Sequence, residues 1–95
     1  MKEKFKTAKQ LERHCKGIAN HHRIDILMTL MQEENLTLDD LIKKLNANQK
    51  TLSEHTRRLL QAGLINKTYR GREVLHTLSP YGKIFARFLK TLQQS

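Results

Sequence analysis

The sequence predicts a mainly α fold, with five helices and one β-hairpin between the fourth helix and the fifth. Two observations lead to this prediction. Apolar residues recur every three or four positions in five stretches, as they do on the buried side of an amphipathic helix. Two short alternating runs then flank Gly71, at residues 65–70 and 74–78, which is typical of paired strands joined by a tight turn.

Length and composition favour a small domain with a modest core. The chain has 95 residues, of which 38% are hydrophobic and only five are Phe or Tyr, so the core must consist mainly of Leu, Ile and Met. We expect a single domain over residues 1–95. A monomer this small and polar would be marginally stable, which favours an oligomer.

The charge balance favours a polyanionic partner. Lys and Arg number 18 against 9 Asp and Glu, which gives a net charge of +9 and a pI near 10.1. Nucleic acid is the commonest such partner, and a merely soluble basic surface is the alternative. No apolar run approaches the ~18 residues of a membrane span, and no apolar stretch follows the charged N-terminus. With Cys15 as the lone cysteine, we expect a cytoplasmic protein without membrane association.

The first two predicted helices differ in their apolar sides. Residues 4–16 carry only a thin stripe and Gly17 breaks the pattern, so we expect this helix on the outside of the domain or against a second subunit. The second helix begins after Asn20, which caps it, and runs to about Gln32. Its inner face is clear, and it comprises Ile24, Leu27, Met28 and Met31, widened by Ile26 and Leu30.

The third and fourth helices form a helix-turn-helix over about residues 37–62. Thr37 caps the third helix, and Asp40 completes a capping box with a shorter carboxylate than the usual Glu. Its buried stripe is Leu38, Leu41, Ile42 and Leu45. A link of three or four residues leads to a helix capped by Asn48, and this length is that of the helix-turn-helix unit.

The fourth helix has one side for the core and one for a partner. Leu52, Thr56 and Leu59 lie on the inner side, and Gly63 suits the left-handed residue that ends a helix. The opposite side is long, polar and mostly basic, and its amide, hydroxyl and guanidinium groups are those that read base edges and phosphates. It consists of Lys50, Glu54, Arg57 and Gln61, flanked by Gln49, Ser53 and Arg58.

A hairpin over about residues 65–78 has a basic tip, because Arg70 and Arg72 flank Gly71. A last helix over about 80–93 follows, with Ser79 as cap and Pro80 at its first position. Its apolar face holds two aromatic residues, and we interpret it as an interface more readily than as core. That face consists of Ile84, Phe85, Phe88, Leu89 and Leu92.

The segments NHHRIDILMTL and NANQKTLSEHTRRLLQAGLI resemble the second helix and the recognition region of ArsR-type winged helix-turn-helix repressors. The hairpin and LSPYGKIFARFL resemble that family's wing and last helix, so the resemblance covers roughly residues 18–92. It implies a mainly α winged helix-turn-helix that dimerises through its first and last helices. A two-fold dimer would bind an inverted-repeat operator in double-stranded DNA, and the family implies a repressor that acts by occupancy.

The resemblance also implies which residues contact DNA. Gln49, Lys50, Ser53, Glu54 and Arg57 would approach bases. Thr51, His55 and Arg58 would contact backbone or bases, and Arg70 and Arg72 would track the flanking minor groove from the wing. Three residues depart from the family pattern. Asn48 replaces the usual Ser cap, which is chemically harmless. Thr56 replaces an apolar residue, which predicts looser packing, and Glu54 predicts selectivity more than affinity, since a carboxylate repels phosphates but accepts from a cytosine amino group.

The metal sites known in ArsR-type proteins cannot be assembled here. Residues 37–45 have no Cys or His, and residues 80–95 have no Asp, Glu, His or Cys. We therefore predict no metal, no cofactor and no small-molecule ligand. The alternative is a metal- or redox-responsive repressor that uses His14, Cys15, His21 and His22, whereas the simpler interpretation is a buried cysteine with histidines facing solvent or phosphate.

The sequence is less consistent with two other classes of function. A protein- or RNA-binding winged helix is the alternative, but the outward side of the fourth helix is not apolar and only Tyr69 is placed to stack on RNA bases. An enzyme is not predicted. No Ser/His/Asp set, glycine-rich phosphate loop or carboxylate pair lies in a plausible pocket.

Overall fold

The computed structural model describes residues 5–95, which contain five helices and a two-stranded antiparallel sheet. This confirms the predicted fold class and the position of the hairpin between the fourth and fifth helices. The elements in chain order are α1 (Ala8–Ile18), α2 (His21–Gln32), α3 (Leu38–Leu45), α4 (Gln49–Gln61), β1 (Ile65–Arg70), β2 (Glu73–Leu78) and α5 (Pro80–Gln93).

The predicted bounds of α1 were wrong at both ends. The predicted start at residue 4 lies outside the described residues, and the helix begins after Thr7, whose side chain and that of Gln10 form a capping box. Its C-terminal end continues through Gly17 to Ile18. Gly17 is needed where α1 crosses the end of α4, because a Cβ there would lie 2.5 Å from the Cβ of Ala62.

The predicted caps of the next three helices are confirmed. Asn20 Oδ1 accepts from the backbone N–H groups of His22 and Arg23, and Asn48 Oδ1 accepts from those of Lys50 and Thr51. Thr37 and Asp40 form the predicted capping box at α3. Between α3 and α4, Asn46 adopts a left-handed conformation with φ of 50°, which turns the chain within the helix-turn-helix.

The core lies between α2, α4 and α5, and the face that α2 presents to it is the predicted one, shifted toward Ile26 and Leu30, which the prediction placed at its edge. Ile26, Leu27 and Leu30 are completely buried, whereas Ile24 and Met28 are only half-buried. The reason is that α2 packs against α4 and α5 together, so the residues that face both of these helices are the fully buried ones. On α3 only Leu41 is fully buried, and Leu38, Ile42 and Leu45 pack against the core from its edge.

The inner side of α4 is buried as predicted. Leu52 and Leu59 are completely buried, and Thr56 between them is 5% exposed. Gly63 has a φ of 74°, which confirms that it is the left-handed residue after the helix.

The hairpin pairs Ile65 with Leu78 and Arg70 with Glu73, so Gly71 and Arg72 form a two-residue turn. The sheet is anchored to the domain by a further bridge, in which Leu36 pairs with His76 of β2. The hairpin is thereby held at its base, while its tip is exposed.

The apolar residues of α5 divide between two directions. Gly82 and Ala86 are buried, and Phe85 and Leu89 pack against the core. The remaining predicted members of its apolar face are exposed, and they are Ile84, Phe88 and Leu92. Ser79 caps the helix by accepting from the Gly82 N–H, and Pro80 occupies the first position, both as predicted.

The closest backbone approach of α5 leads to a prediction for Gly82→Ala. A Cβ at Gly82 would lie 1.9 Å from the carbonyl oxygen of Leu64, so α5 would have to move away from the core. We expect the free energy of unfolding to fall by about 2 kcal/mol or more, because overpacking against backbone outweighs the roughly 1 kcal/mol gain in helix propensity. Urea unfolding monitored by circular dichroism measures this change.

Gly71→Asn is the matched control for that substitution. Gly71 has a φ of 61°, which Asn tolerates, and a Cβ there meets nothing within 4 Å. We expect this variant to remain within about 0.5 kcal/mol of the wild type. Equal losses in the two variants would contradict the importance of the α5 contact.

Candidate nucleic-acid interface

The outward side of α4 is accessible along its length. Gln49, Lys50, Ser53 and Arg57 are exposed. The part of α4 that α1 contacts is its C-terminal end. There Arg13 and His14 donate to the backbone carbonyls of Gln61 and Ala62, at 3.3 and 3.0 Å. The surface that the sequence predicts for DNA is therefore presented to solvent.

Two arginines on this surface share one carboxylate. The Glu54 Oε1 atom lies 2.7 Å from Arg57 Nη2, and its Oε2 atom lies 2.8 Å from Arg58 Nε. Spacings of three and four residues bring these side chains together on a helix. The hydrogen bond from Arg57, and to a smaller extent that from Arg58, hold the pKa of Glu54 below its usual value. The carboxylate is therefore ionised at neutral pH.

A broad open groove separates α4 from the hairpin. Its helix side includes Lys50, Ser53 and Arg57, and its hairpin side includes Lys67 and Val74. The groove is thus basic on both walls, an arrangement suited to a sugar-phosphate backbone passing between the helix and the wing.

The two arginines at the wing tip are in different electrostatic environments. Arg70 Nη2 lies 3.1 Å from Glu73 Oε1, across the end of the hairpin. Arg72 lies in the turn itself, is exposed, and makes no ion pair with any residue of 5–95. Both side chains project from the same end of the hairpin as predicted, and Arg72 is the more available for an anion.

Two of the predicted contact residues are partly withdrawn from the surface. Thr51 is half-buried, and so is His55, whose imidazole stacks on His22 of α2 with the ring centroids 5.1 Å apart. Burial is the main cause that lowers the pKa of His55, and the positive charge of Arg23 adds to it. The contact of His55 with DNA stays a prediction, and the structure adds that this side chain packs between α4 and α2.

His76 has a structural role that the sequence analysis missed. The strand pattern over residues 74–78 predicts no special role for it, but it is 3% exposed, and its Nδ1 and backbone N both lie 2.8 Å from the carbonyl oxygen of Leu36. Burial lowers its pKa, and nearby Lys67 acts in the same direction. Its sequence positions two residues from Val74 and from Leu78 place it on the same face of the strand as these apolar residues, which is the signal that it faces inward.

The histidines and cysteine near the first two helices are separated by their packing. His14 Nδ1 donates to the carbonyl oxygen of Ala62, and its ring lies 5.0 Å from that of Tyr81. Cys15 is exposed, so the expectation of a buried cysteine was wrong, because α1 buries none of its own side chains within the described chain. Among residues 5–95 no group of three or more His, Cys, Asp or Glu is placed to hold a metal ion.

An apolar surface lies away from the basic groove, on the outer sides of α1 and α5. Its α5 members are 43–60% exposed, and Leu11 of α1 is 49% exposed. His14 of α1 lies there against Tyr81 of α5, and Lys6, which precedes α1, has its Nζ 4.2 Å from the centre of the Tyr81 ring. We call this surface the α1–α5 patch, and it consists of Leu11, Tyr81, Ile84, Phe88 and Leu92.

A helix-turn-helix with an accessible basic second helix, followed by a basic hairpin, defines a winged helix-turn-helix protein of the DNA-binding class. The family model described as "Bacterial regulatory protein, arsR family" matches residues 20–67. The chain therefore belongs to the ArsR family of bacterial transcriptional regulators. Membership of this regulatory family also agrees with the prediction that the chain is not an enzyme.

Similar proteins agree with this assignment. The transcriptional activator HlyU of Vibrio cholerae is 36% identical over 64 residues, which is 67% of this chain and 58% of HlyU. A solved structure of HlyU from Vibrio cholerae has a TM-score of 0.84 at 29% identity, covering 97% of this chain and all 100% of that one.

The fold is also that of the homodimeric winged helix-turn-helix DNA-binding domain of Mb0332 from Mycobacterium bovis. That structure has a TM-score of 0.81 at 19% identity and covers 99% of this chain and 91% of its own. Within residues 5–95, none of the helices has the length and apolar character that a bilayer crossing requires.

The burial of His76 predicts a loss of stability in mild acid. Because its pKa is lower in the folded state, the unfolded chain binds the proton first as pH falls. The free energy of unfolding is thus greatest above a pH of about 6.5 and decreases as pH falls through the folded-state pKa. Urea unfolding between about pH 7.5 and about pH 5 measures this dependence.

His76→Asn isolates the contribution of this residue, since an amide can still donate to Leu36 but does not titrate. We expect a shallower decrease with pH, with the part due to His55 left in place because its pKa is lowered in the same direction. Asp40 and Glu54 have lowered pKa values too, but these carboxylates become protonated only at more acid pH. An unchanged pH dependence in His76→Asn would contradict the assignment.

Proposed function

We propose that this protein is a sequence-specific regulator that binds double-stranded DNA as a homodimer, on an operator with inverted-repeat symmetry. The observation that carries the proposal is the exposed basic side of α4 beside a wing with an arginine in its turn. Such a helix inserted in the major groove presents Gln49, Ser53 and Arg57 to base edges.

The phosphate contacts come from the edges of the same surface. Lys67 on the wing lines the wall of the groove opposite Lys50, where a backbone would pass, while Lys50 itself is proposed to approach bases. Arg70 and Arg72 lie at the wing tip, from which they would follow the flanking minor groove. With six to ten such contacts, raising the salt concentration from about 50 to about 200 mM would reduce the affinity for DNA on the order of 10³–10⁵-fold.

The α1–α5 patch supports the homodimer. Several large apolar side chains exposed on a small basic domain mark an interaction site, and α1 and α5, which carry them, are the helices through which the resemblance implies dimerisation. The structurally similar domain of Mb0332 is homodimeric. A two-fold axis at the patch, which lies away from the basic groove, leaves the α4 helices of both protomers free for successive turns of one duplex.

The regulatory outcome is proposed to follow from occupancy of the operator. The resemblance to ArsR-type repressors predicts repression, whereas the similar HlyU protein is named a transcriptional activator. Occupancy that overlaps a promoter blocks transcription, so we propose repression. A promoter-reporter assay with and without the protein tests the sign, and increased reporter expression would contradict repression while leaving DNA binding intact.

Arg57→Ala and Arg72→Ala separate base contacts from phosphate contacts. Removing Arg57 should relax sequence preference, because a good bidentate base contact contributes about 1–3 kcal/mol of discrimination. Removing Arg72 should lower the affinity for operator DNA and for scrambled DNA by similar factors. It should also reduce the slope of log affinity against log salt by about 0.9. Fluorescence anisotropy on both duplexes over a salt series measures these effects.

Each variant is the control for the other, because both lose one exposed arginine. The wild-type protein must prefer the operator obtained by selection from random duplexes. If it retains scrambled DNA equally well at moderate salt, sequence-specific binding is excluded. If the two variants behave alike, the division of roles between helix and wing is wrong.

Phe88→Asp tests the dimer, with Phe88→Leu as its conservative control. Phe88 is 55% exposed in the protomer, so the charge should leave the fold intact while opposing burial of the patch against a second copy. We expect Phe88→Asp to be a monomer and to lose on the order of 10²–10⁴-fold in operator affinity, because the two half-sites are no longer bound together. Phe88→Leu should remain dimeric.

Sedimentation velocity and operator titration measure the two properties on the same samples. A folded Phe88→Asp variant that stays dimeric would show that the interface lies elsewhere. A monomeric variant with full operator affinity would instead exclude bivalent recognition.

A further inference from the structure

We propose that Glu54 determines sequence specificity by holding Arg57 and Arg58 away from DNA until the major groove offers it a cytosine amino group. This inference rests on the proposed function, since it assigns a base to one residue of the α4 surface. Glu54 thus acts against incorrect duplexes as well as for the correct one.

The geometry occupies the whole carboxylate in the free protein. Each oxygen accepts from a different guanidinium group, at 2.7 Å from Arg57 and 2.8 Å from Arg58. One negative charge therefore bridges two positive charges near the middle of the recognition surface. The three side chains have a combined charge of +1, where the two arginines alone would have +2.

These ion pairs are weak enough to exchange on a DNA surface. The side chains of Arg57, Arg58 and Glu54 are 55%, 54% and 41% exposed. Pairs exposed to this extent contribute little to stability, because water and salt screen them. The pairs orient the arginines without locking them, so a better partner on the duplex can replace either side.

An incorrect duplex provides no such partner for the carboxylate. If Glu54 keeps its ion pairs, the two guanidinium groups are less available to phosphates, and counterion release is reduced. If the arginines leave, an unpaired carboxylate remains close to a polyanion. Both arrangements weaken non-specific binding, which is the part of affinity that a net charge of +9 would otherwise favour.

Cytosine is the base that relieves this conflict. Its N4 amino group is a major-groove donor, and a carboxylate accepts from it. The adenine amino group lies beside the N7 acceptor, which repels the second carboxylate oxygen, and guanine presents two acceptors. Once Glu54 is bonded to cytosine, Arg57 is free to donate to the O6 and N7 atoms of a nearby guanine or to a phosphate.

The wing provides a matched control for this mechanism. Glu73 also pairs with an exposed arginine, at 3.1 Å from Arg70, but it lies at the wing tip and away from the outward side of α4. Glu54→Gln and Glu73→Gln each remove one carboxylate from the proposed DNA-facing surface and release arginine. Only the first should change which sequences are preferred.

The experiment selects bound sequences from random duplex DNA with the full-length wild type, Glu54→Gln and Glu73→Gln. We expect the wild type to require cytosine at one position in each half-site, and Glu54→Gln to lose that requirement. Affinity of Glu54→Gln for scrambled DNA should rise several-fold, and its ratio of operator to scrambled affinity should fall about tenfold. Its salt slope on scrambled DNA should increase by about 0.9 for each released arginine that reaches a phosphate.

Glu73→Gln should instead raise affinity for both duplexes by similar factors and keep the cytosine preference. The proposal is overturned if Glu54→Gln retains the wild-type preference, or if its affinity changes match those of Glu73→Gln. A wild-type protein that enriches no sequence would overturn the proposed function itself, so the two failures are distinguishable. Urea unfolding of both surface variants confirms that they are folded.

Discussion

The structure depends on the burial of one side of α4. Leu52 and Leu59 are completely buried, with Thr56 between them, and each leucine contributes roughly 1.5–3 kcal/mol on leaving water. This contact fixes the rotation of the helix about its axis. Because a helix has a period of 3.6 residues, fixing the inner side also fixes which residues project outward. The surface proposed to contact DNA is thus a direct consequence of how the core is filled.

The charges on that outward surface are arranged rather than merely numerous. In the described chain Glu54 pairs with arginines on the helix, and Glu73 pairs with an arginine on the wing, so carboxylates lie within the proposed contact area. A protein selected only for affinity to a polyanion would exclude them. Their presence at exposed, easily exchanged ion pairs is consistent with a surface that balances general attraction to DNA against discrimination between sequences.

The same division between core and surface is seen on α5. Gly82 and Ala86 let the helix approach the core closely, which leaves Ile84, Phe88 and Leu92 on the opposite side. A domain of 95 residues has little core to spare, so this much exposed apolar area favours a second copy of the chain. In the proposed dimer, folding, assembly and the spacing of the two α4 helices would depend on one another.

Local signals along the chain are sufficient to predict most of the helices and the hairpin. Side chains such as Asn48 and Thr37 cap helices within three residues, and Gly71 marks the hairpin turn, so α2 to α5 and the candidate DNA surface were predictable. Three other features follow from the packing of the elements: which residues of α2 are fully buried, the continuation of α1 through Gly17, and the hydrogen bond between His76 and Leu36. These features depend on contacts between residues far apart in the chain, and a periodic pattern contains no information about the neighbours it will meet.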